Sequence, residues 1–159
     1  MKENFHTVRG YENINSTRKL LTPAMEDYLE MIYRCSLEES SIRLNKIAQM
    51  LNVRDSSASK MMKKLGDLAL INYEKYGVIE LTENGITLGK YLLDRHIIIE
   101  KFLKYLGGKD EVLIETELIE HVIGSETVEN IKMLNMFFED NKDVLDKYNE
   151  FKKCNKNYK

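Results

Sequence analysis

Among 159 residues there is no tryptophan, one proline and only two cysteines. Cys35 and Cys154 lie far apart and form no C-x-x-C pair, so no disulfide framework is expected, and a reducing cytoplasm fits. One proline and eight glycines leave few helix breakers, which favours a mostly helical chain rich in Leu, Ile, Lys and Glu. No run of about 18 apolar residues occurs, so no membrane span is expected. The polar stretch from Met1 to Gly10 lacks the apolar core of a secretory signal. The net charge is only −2, without the overall basic excess that would mark a polyanion binder.

What the chain does have is a core and a strong charge asymmetry. Apolar residues make up 43%, enough to bury one domain or two small ones sharing a core. Residues 42–65 set Arg43, Lys46, Arg54, Lys60, Lys63 and Lys64 against Asp55, a local balance of +5. Residues 110–146 carry eleven acids against Lys132 and Lys142, a balance of −9. The split suits two jobs, a basic segment for a polyanion and an acidic one for cations or a partner; two solvated faces would show it too.

Residues 1–20 lack periodicity and read as a mobile arm, with His6 as a surface residue. The first firm helix starts at Thr22-Pro23, a capping residue followed by proline at the first helical position. Met25, Leu29, Ile32 and Tyr33 give it a buried stripe, and Asp27 and Glu30 share a face at its edge, where surface charge is the ordinary reading. Ile42 to Leu51 reads as a short helix, Asn52-Val53-Arg54 as a turn with Val53 inward, and Asp55 or Ser56 as the cap of a helix running to about Leu68. This is the grammar of a helix-turn-helix. Ala58, Met61, Met62 and Leu65 face in; Ser56, Ser57, Ser59, Lys60, Lys63 and Lys64 face out, as hydroxyls for base edges and lysines for phosphates. Ile71 to Leu81 then reads as two short strands around Gly77, a wing with Lys75 and Tyr76 at its tip, and Lys75 completes the DNA-contacting set.

Thr82 caps a long helix from about Glu83 to Leu106, stopped by Gly107-Gly108, with His96 on its mostly apolar face and Glu100 one turn on. A lone histidine there is ordinarily a satisfied core residue. The next helix, capped by Asp110 and ended by Gly124, puts Glu117, Glu120 and His121 on one face by their spacing. Two carboxylates and an imidazole make a metal half-site, though a solvated acidic face has the same spacing. A helix capped by Ser125 and running to about Glu139, with Val128, Ile131, Leu134, Met136, Phe137 and Phe138, is too apolar for a small private core and suggests an interface. A last helix holds Val144, Leu145, Tyr148 and Phe151 and frays into a basic end.

Five motifs together resemble one family: Thr22-Pro23-x-Met25-Glu26-Asp27-Tyr28-Leu29-Glu30, Ser56-Ser57-Ala58-Ser59-Lys60-Met61, Tyr73-Glu74-Lys75-Tyr76, Arg95-His96 and Glu117-x-x-Glu120-His121. Over about Leu21 to Tyr148 the chain is similar to the manganese-responsive branch of the diphtheria toxin repressor family of metal-dependent repressors. The resemblance implies a mainly α protein: an N-terminal winged helix-turn-helix domain with a two-stranded β wing (21–85, after an arm at 1–20), then an all-helical metal-binding and dimerisation domain (86–159). It implies two Mn(II) ions per chain held by Asp27, Glu30, His96, Glu117, Glu120 and His121. The iron-responsive branch would place a methionine at position 27 and a cysteine at position 117; this chain has neither. Glu100 matches an accessory ligand of that branch, and its third, SH3-like domain has no counterpart here.

The expected function is a manganese-responsive repressor of metal-uptake genes that binds double-stranded operator DNA as a homodimer, in the cytoplasm and without enzymatic activity. The alternatives are a ferrous-iron-responsive repressor of the same family and a winged-helix regulator sensing a non-metal ligand. A dinuclear metallohydrolase is disfavoured, because no separate nucleophile or substrate loop accompanies the carboxylates.

Overall fold

The structure, a computed structural model, describes residues 18, 20–39, 41–74, 77–108 and 111–155. The expected arm, with His6, therefore falls almost wholly outside the described residues, as do Lys75, Tyr76 and Asp110. The chain forms two compact units, Met1–Leu93 and Asp94–Lys159.

The first unit begins with α1 (Pro23–Glu38), whose N-cap Thr22 accepts a hydrogen bond from the Met25 amide at 3.4 Å. Its inward stripe is wider than the apolar spacing suggested: Tyr28 and Cys35 join Met25, Leu29 and Ile32 in the core. Cys35 is 2% exposed, its Sγ lies 3.4 Å from Met50 Sδ, and burial pushes its thiol pKa up, so it is a packing residue and not a reactive thiol.

The segment expected to be helical from Ile42 begins instead as a strand, β1 (Ile42–Arg43), and only then becomes α2 (Leu44–Met50). The reason is a distant partner. Ile42 pairs with Ile79 and Arg43 with Val78, so β1 becomes the edge of a three-stranded antiparallel sheet. Its other strands are β2 (Ile71–Tyr73) and β3 (Val78–Leu81), in the order β1-β3-β2. The expected two-stranded wing is thus a sheet with a third strand.

Between them lies α3 (Asp55–Asp67). Its N-cap is Arg54, whose carbonyl accepts from the Ser57 and Ala58 amides, so neither Asp55 nor Ser56 caps it. The turn before it is a Schellman-type helix end: Asn52 sits at φ 52° and the Val53 amide bonds back to the Ala48 carbonyl at 2.9 Å. That geometry turns Val53 outward, 37% exposed, against the expectation that it packs inward. Ala58, Met62 and Leu65 are 0% exposed and seat α3 on the core; Met61 is half-buried at its edge.

The long helix α4 (Glu83–Leu106) starts in the first unit and ends in the second. Thr82 fastens its start: the hydroxyl donates to the Ala69 and Leu70 carbonyls (2.8 and 3.1 Å) and accepts from the Gly85 amide (3.1 Å). A Cβ on Gly85 would stand 1.9 Å from the Leu70 oxygen and one on Gly89 2.7 Å from Tyr33 Cβ, so both glycines are required by close approach.

In the second unit α4 ends in a left-handed Gly107 (φ +97°) with the Gly108 amide bonded to the Leu103 carbonyl. Then come α5 (Val112–Ile119), α6 (Ser125–Asp140) and α7 (Lys142–Asn155). Gly124, not Ser125, is the N-cap of α6. Ile99, Leu103, Val112 and Val128 form a small core. The inward face of α6 is Val128, Ile131 and Asn135; the Asn135 amide donates to the Ile98 carbonyl at 2.9 Å. Leu134, Met136 and Phe137, expected on the apolar stripe, are instead exposed at 39–48%. Phe138 meets Tyr105 edge-on and stacks on Tyr148, and Lys152 donates to the Tyr105 carbonyl near the end of α4.

Candidate metal centre and nucleic-acid interface

The acidic-imidazole triplet does not lie within a helix as its spacing suggested. The helix α5 stops at Ile119, and Glu120 is its C-cap, still at φ −61° and ψ −26°. His121 follows in the turn, where the Val122 and Ile123 amides both bond to the Ile119 carbonyl. The backbone keeps a nearly helical course for these residues, so the convergence survives. Glu117, Glu120 and His121 each offer a ligand atom within 4.8 Å of the others.

His96, from α4, meets this group. Its Nδ1 is 2.9 Å from Glu120 Oε2 and 3.7 Å from Glu117 Oε1, while Glu120 Oε1 lies 3.8 Å from His121 Nε2. Glu120 is 1% exposed and His96 3%. A carboxylate that deeply buried needs positive charge or strong donors nearby, and here imidazoles stand at both of its oxygens. The donor set is oxygen and imidazole nitrogen without thiolate, which fits a hard to borderline divalent cation. Glu100 plays no part in this cluster; it pairs with Lys104 at 2.8 Å, one turn on.

The remaining two residues of the proposed ligand set sit in the first unit, on α1. Asp27 is half-buried and Glu30 is 7% exposed. Glu30 is gripped by Arg34, which donates to its Oε1 from Nε at 2.9 Å and from Nη2 at 2.6 Å. Nothing in the local spacing singled out Arg34 beforehand, although arginine four residues after glutamate is a common helical ion pair.

In the first unit α3 presents Ser56, Ser57, Lys60, Lys63 and Lys64 to solvent, with Ser59 half-buried. Two clefts flank this helix. One, of about 650 Å³, is lined by Arg43, Leu44, Asn45, Asp55, Ser56, Ser59 and Tyr73. The other, of about 800 Å³, runs past Lys60, Lys63, Asn72 and Glu74. An exposed helix with hydroxyls at its start and lysines along its length, flanked by a sheet, has the form that enters a major groove. Arg43, already counted in the basic segment, belongs to this surface, and so do Asn45 and Tyr73, which the sequence had not assigned to it. The β1 pairing fixes Arg43 against Val78, and Asn45 follows in the first turn of α2.

The sequence matches two family descriptions in succession: iron dependent repressor, N-terminal DNA binding domain, over residues 20–79, and iron dependent repressor, metal binding and dimerisation domain, over residues 82–148. It is 38% identical over 135 residues to the HTH-type transcriptional regulator MntR of Shouchella clausii (strain KSM-K16), covering 84% of this chain and 94% of that one. It is also 38% identical over 122 residues to the MntR of Bacillus subtilis (strain 168), covering 76% and 86%. Among solved structures, that of the manganese regulator SloR superposes with a TM-score of 0.63 at 36% identity. That match covers 72% of this chain but only 55% of the SloR chain, so the protein spans about half the length of that relative. An N-terminal DNA-binding domain followed by a metal-binding and dimerisation domain, with relatives this similar over most of their length, places the chain in the iron dependent repressor family of transcriptional regulators.

Proposed function

We propose that the protein is a manganese-responsive repressor of metal-uptake genes, with a DNA-binding part at 21–85, a metal-binding and dimerisation part at 86–159 and an arm at 1–20. The observation that carries the metal reading is the convergence of His96, Glu117, Glu120 and His121 around a buried carboxylate. With Asp27 and Glu30 these residues form a set of four carboxylates and two imidazoles, suited to two Mn(II) ions per chain. Bound there, the divalent cations supply the positive charge that cancels carboxylate repulsion.

The ligands are contributed from both sides of the DNA-reading helix in the chain. Asp27 and Glu30 precede α3, and the other four follow it. When all six serve a common purpose, they restrict how α3 is carried in the dimer. Two recognition helices read successive major grooves only at a separation of about 34 Å or a multiple of it. The metal ligands therefore act on DNA affinity without touching DNA. A coupling typical of allosteric proteins, about 1–3 kcal/mol, changes operator affinity by roughly five- to 150-fold.

In this reading Ser56, Ser57 and Ser59 contact base edges and the first phosphates, and Lys60, Lys63, Lys64 and Lys75 neutralise the phosphate backbone. The test is a titration of a fluorescent duplex, recovered by selection from random DNA in manganese, with manganese present or chelated. Glu117→Ala and His121→Ala are expected to abolish the manganese-stimulated component while circular dichroism and sedimentation stay unchanged. Equal affinity of the unsubstituted protein in both conditions would sink the reading. The same titration with ferrous iron under anaerobic conditions separates the iron-responsive alternative, which the same hard donors would accept.

A further inference from the structure

The contact between Arg34 and Glu30 has a direction that matters for a cation. Two N–H donors of the guanidinium, on Nε and Nη2, fall on the same oxygen, Glu30 Oε1, at 2.9 and 2.6 Å. Glu30 is nearly buried at 7% exposed, while the Arg34 side chain remains 38% exposed. One carboxylate oxygen is therefore paired with a fixed positive charge, held by an i, i+4 pair on a single helix.

We infer that Arg34 is a positioning residue that sets the metal concentration at which the protein responds, holding Glu30 in place while its own charge opposes a cation at that carboxylate. This rests on the reading of Glu30 as a ligand. Two effects compete. The guanidinium orients the carboxylate, which favours binding. It also withdraws charge from the carboxylate and repels a divalent ion a few ångströms away, which opposes binding. Orientation contributes the smaller share, because Glu30 is already buried and its side chain has little freedom left to lose. The Coulomb effect acts on a doubly charged ion in partly desolvated surroundings, where water screens it less. Its net action is to raise the response threshold, so that the site fills only when the metal is plentiful.

The experiment measures Mn(II) binding directly, by the electron paramagnetic resonance signal of free aqueous Mn(II) in equilibrium with the full chain. Arg34→Gln and Arg34→Met are expected to tighten binding roughly tenfold. Arg34→Lys keeps the charge and should stay within about twofold of the unsubstituted protein, since the charge and not the fork carries the effect. The gain in Arg34→Gln should shrink as salt rises, because the guanidinium is partly exposed and therefore screened. A merely structural arginine would show neither the rescue by lysine nor the salt dependence. Unchanged or weaker binding in both Arg34→Gln and Arg34→Met overturns the inference. Glu30→Gln distinguishes the two levels of failure. If it leaves Mn(II) binding unchanged, the ligand reading of Glu30 falls and this inference with it. If it weakens binding while the Arg34 variants fail to tighten it, only the role of Arg34 falls.

Discussion

At the scale of the residue, Glu120 concentrates most of the chemistry. Its carboxylate is almost inaccessible, yet it meets His96 on one oxygen and approaches His121 on the other. A buried carboxylate is costly unless its charge is answered, so this side chain is kept for what it binds. The lysines of α3 are the opposite case, exposed and individually dispensable to folding. Lys60→Ala is expected to weaken binding to every duplex by a similar factor and to lower the slope of log K against log salt by about 1, with melting temperature unaffected. Fluorescence anisotropy at several salt concentrations checks it; a loss confined to one operator sequence would assign Lys60 to base reading instead. The residue types of the metal cluster could be read from sequence because imidazoles and carboxylates at helical spacing are distinctive. Arg34 could not, because an arginine after a glutamate has many uses.

At the scale of the element, three helix ends share one device. Asn52, Ala69 and Gly107 all take positive φ after α2, α3 and α4, and the following amide bonds back across the turn in each case. Glycine and asparagine tolerate that conformation, whereas alanine holds it at a cost of about 1–2 kcal/mol. Ala69→Gly is therefore expected to stabilise the protein by about 1 kcal/mol, even after the added freedom of the unfolded chain is discounted. Urea unfolding monitored by circular dichroism measures it, and a drop in the midpoint would refute the account. Helix starts were less legible. Thr22 and Thr82 cap as their residue types suggest, but α3 begins after Arg54 and α6 after Gly124, with backbone carbonyls in place of side-chain caps. The boundary at Ile42 was misread for a different reason: the apolar spacing of Leu44, Ile47 and Ala48 extends smoothly back to it, and only pairing with Ile79 makes it a strand.

At the scale of the whole molecule, exposed large apolar residues occur in both units, and among the described residues more of them fall in the second. Leu118, Val122 and Met133 are 62–82% exposed and Phe137 48%. Large apolar side chains left this exposed are candidates for cover in a dimer. Met133→Glu together with Phe137→Glu is expected to give a monomer by sedimentation and to lose tight operator binding, because one recognition helix cannot read two half-sites. A dimer of unchanged stability would show that this face is not the interface. Among the described residues no helix is long and apolar enough to cross a membrane, as expected from the absence of a long apolar run.

Helix positions, the helix-turn-helix, the stop at Gly107 and the split of charge follow from local rules, so they were open to reading from residue order. Periodicity, capping and glycine act over a few residues, and their signals survive without any knowledge of the fold. The third strand, the burial of Asn135 in place of Leu134, and the approach of His96 to Glu120 were decided only when distant segments met. Each depends on a partner far along the chain, between 24 and 37 residues for the last two contacts. Pairing across such distances is set by which surfaces exclude water together, and no short window of sequence contains that information.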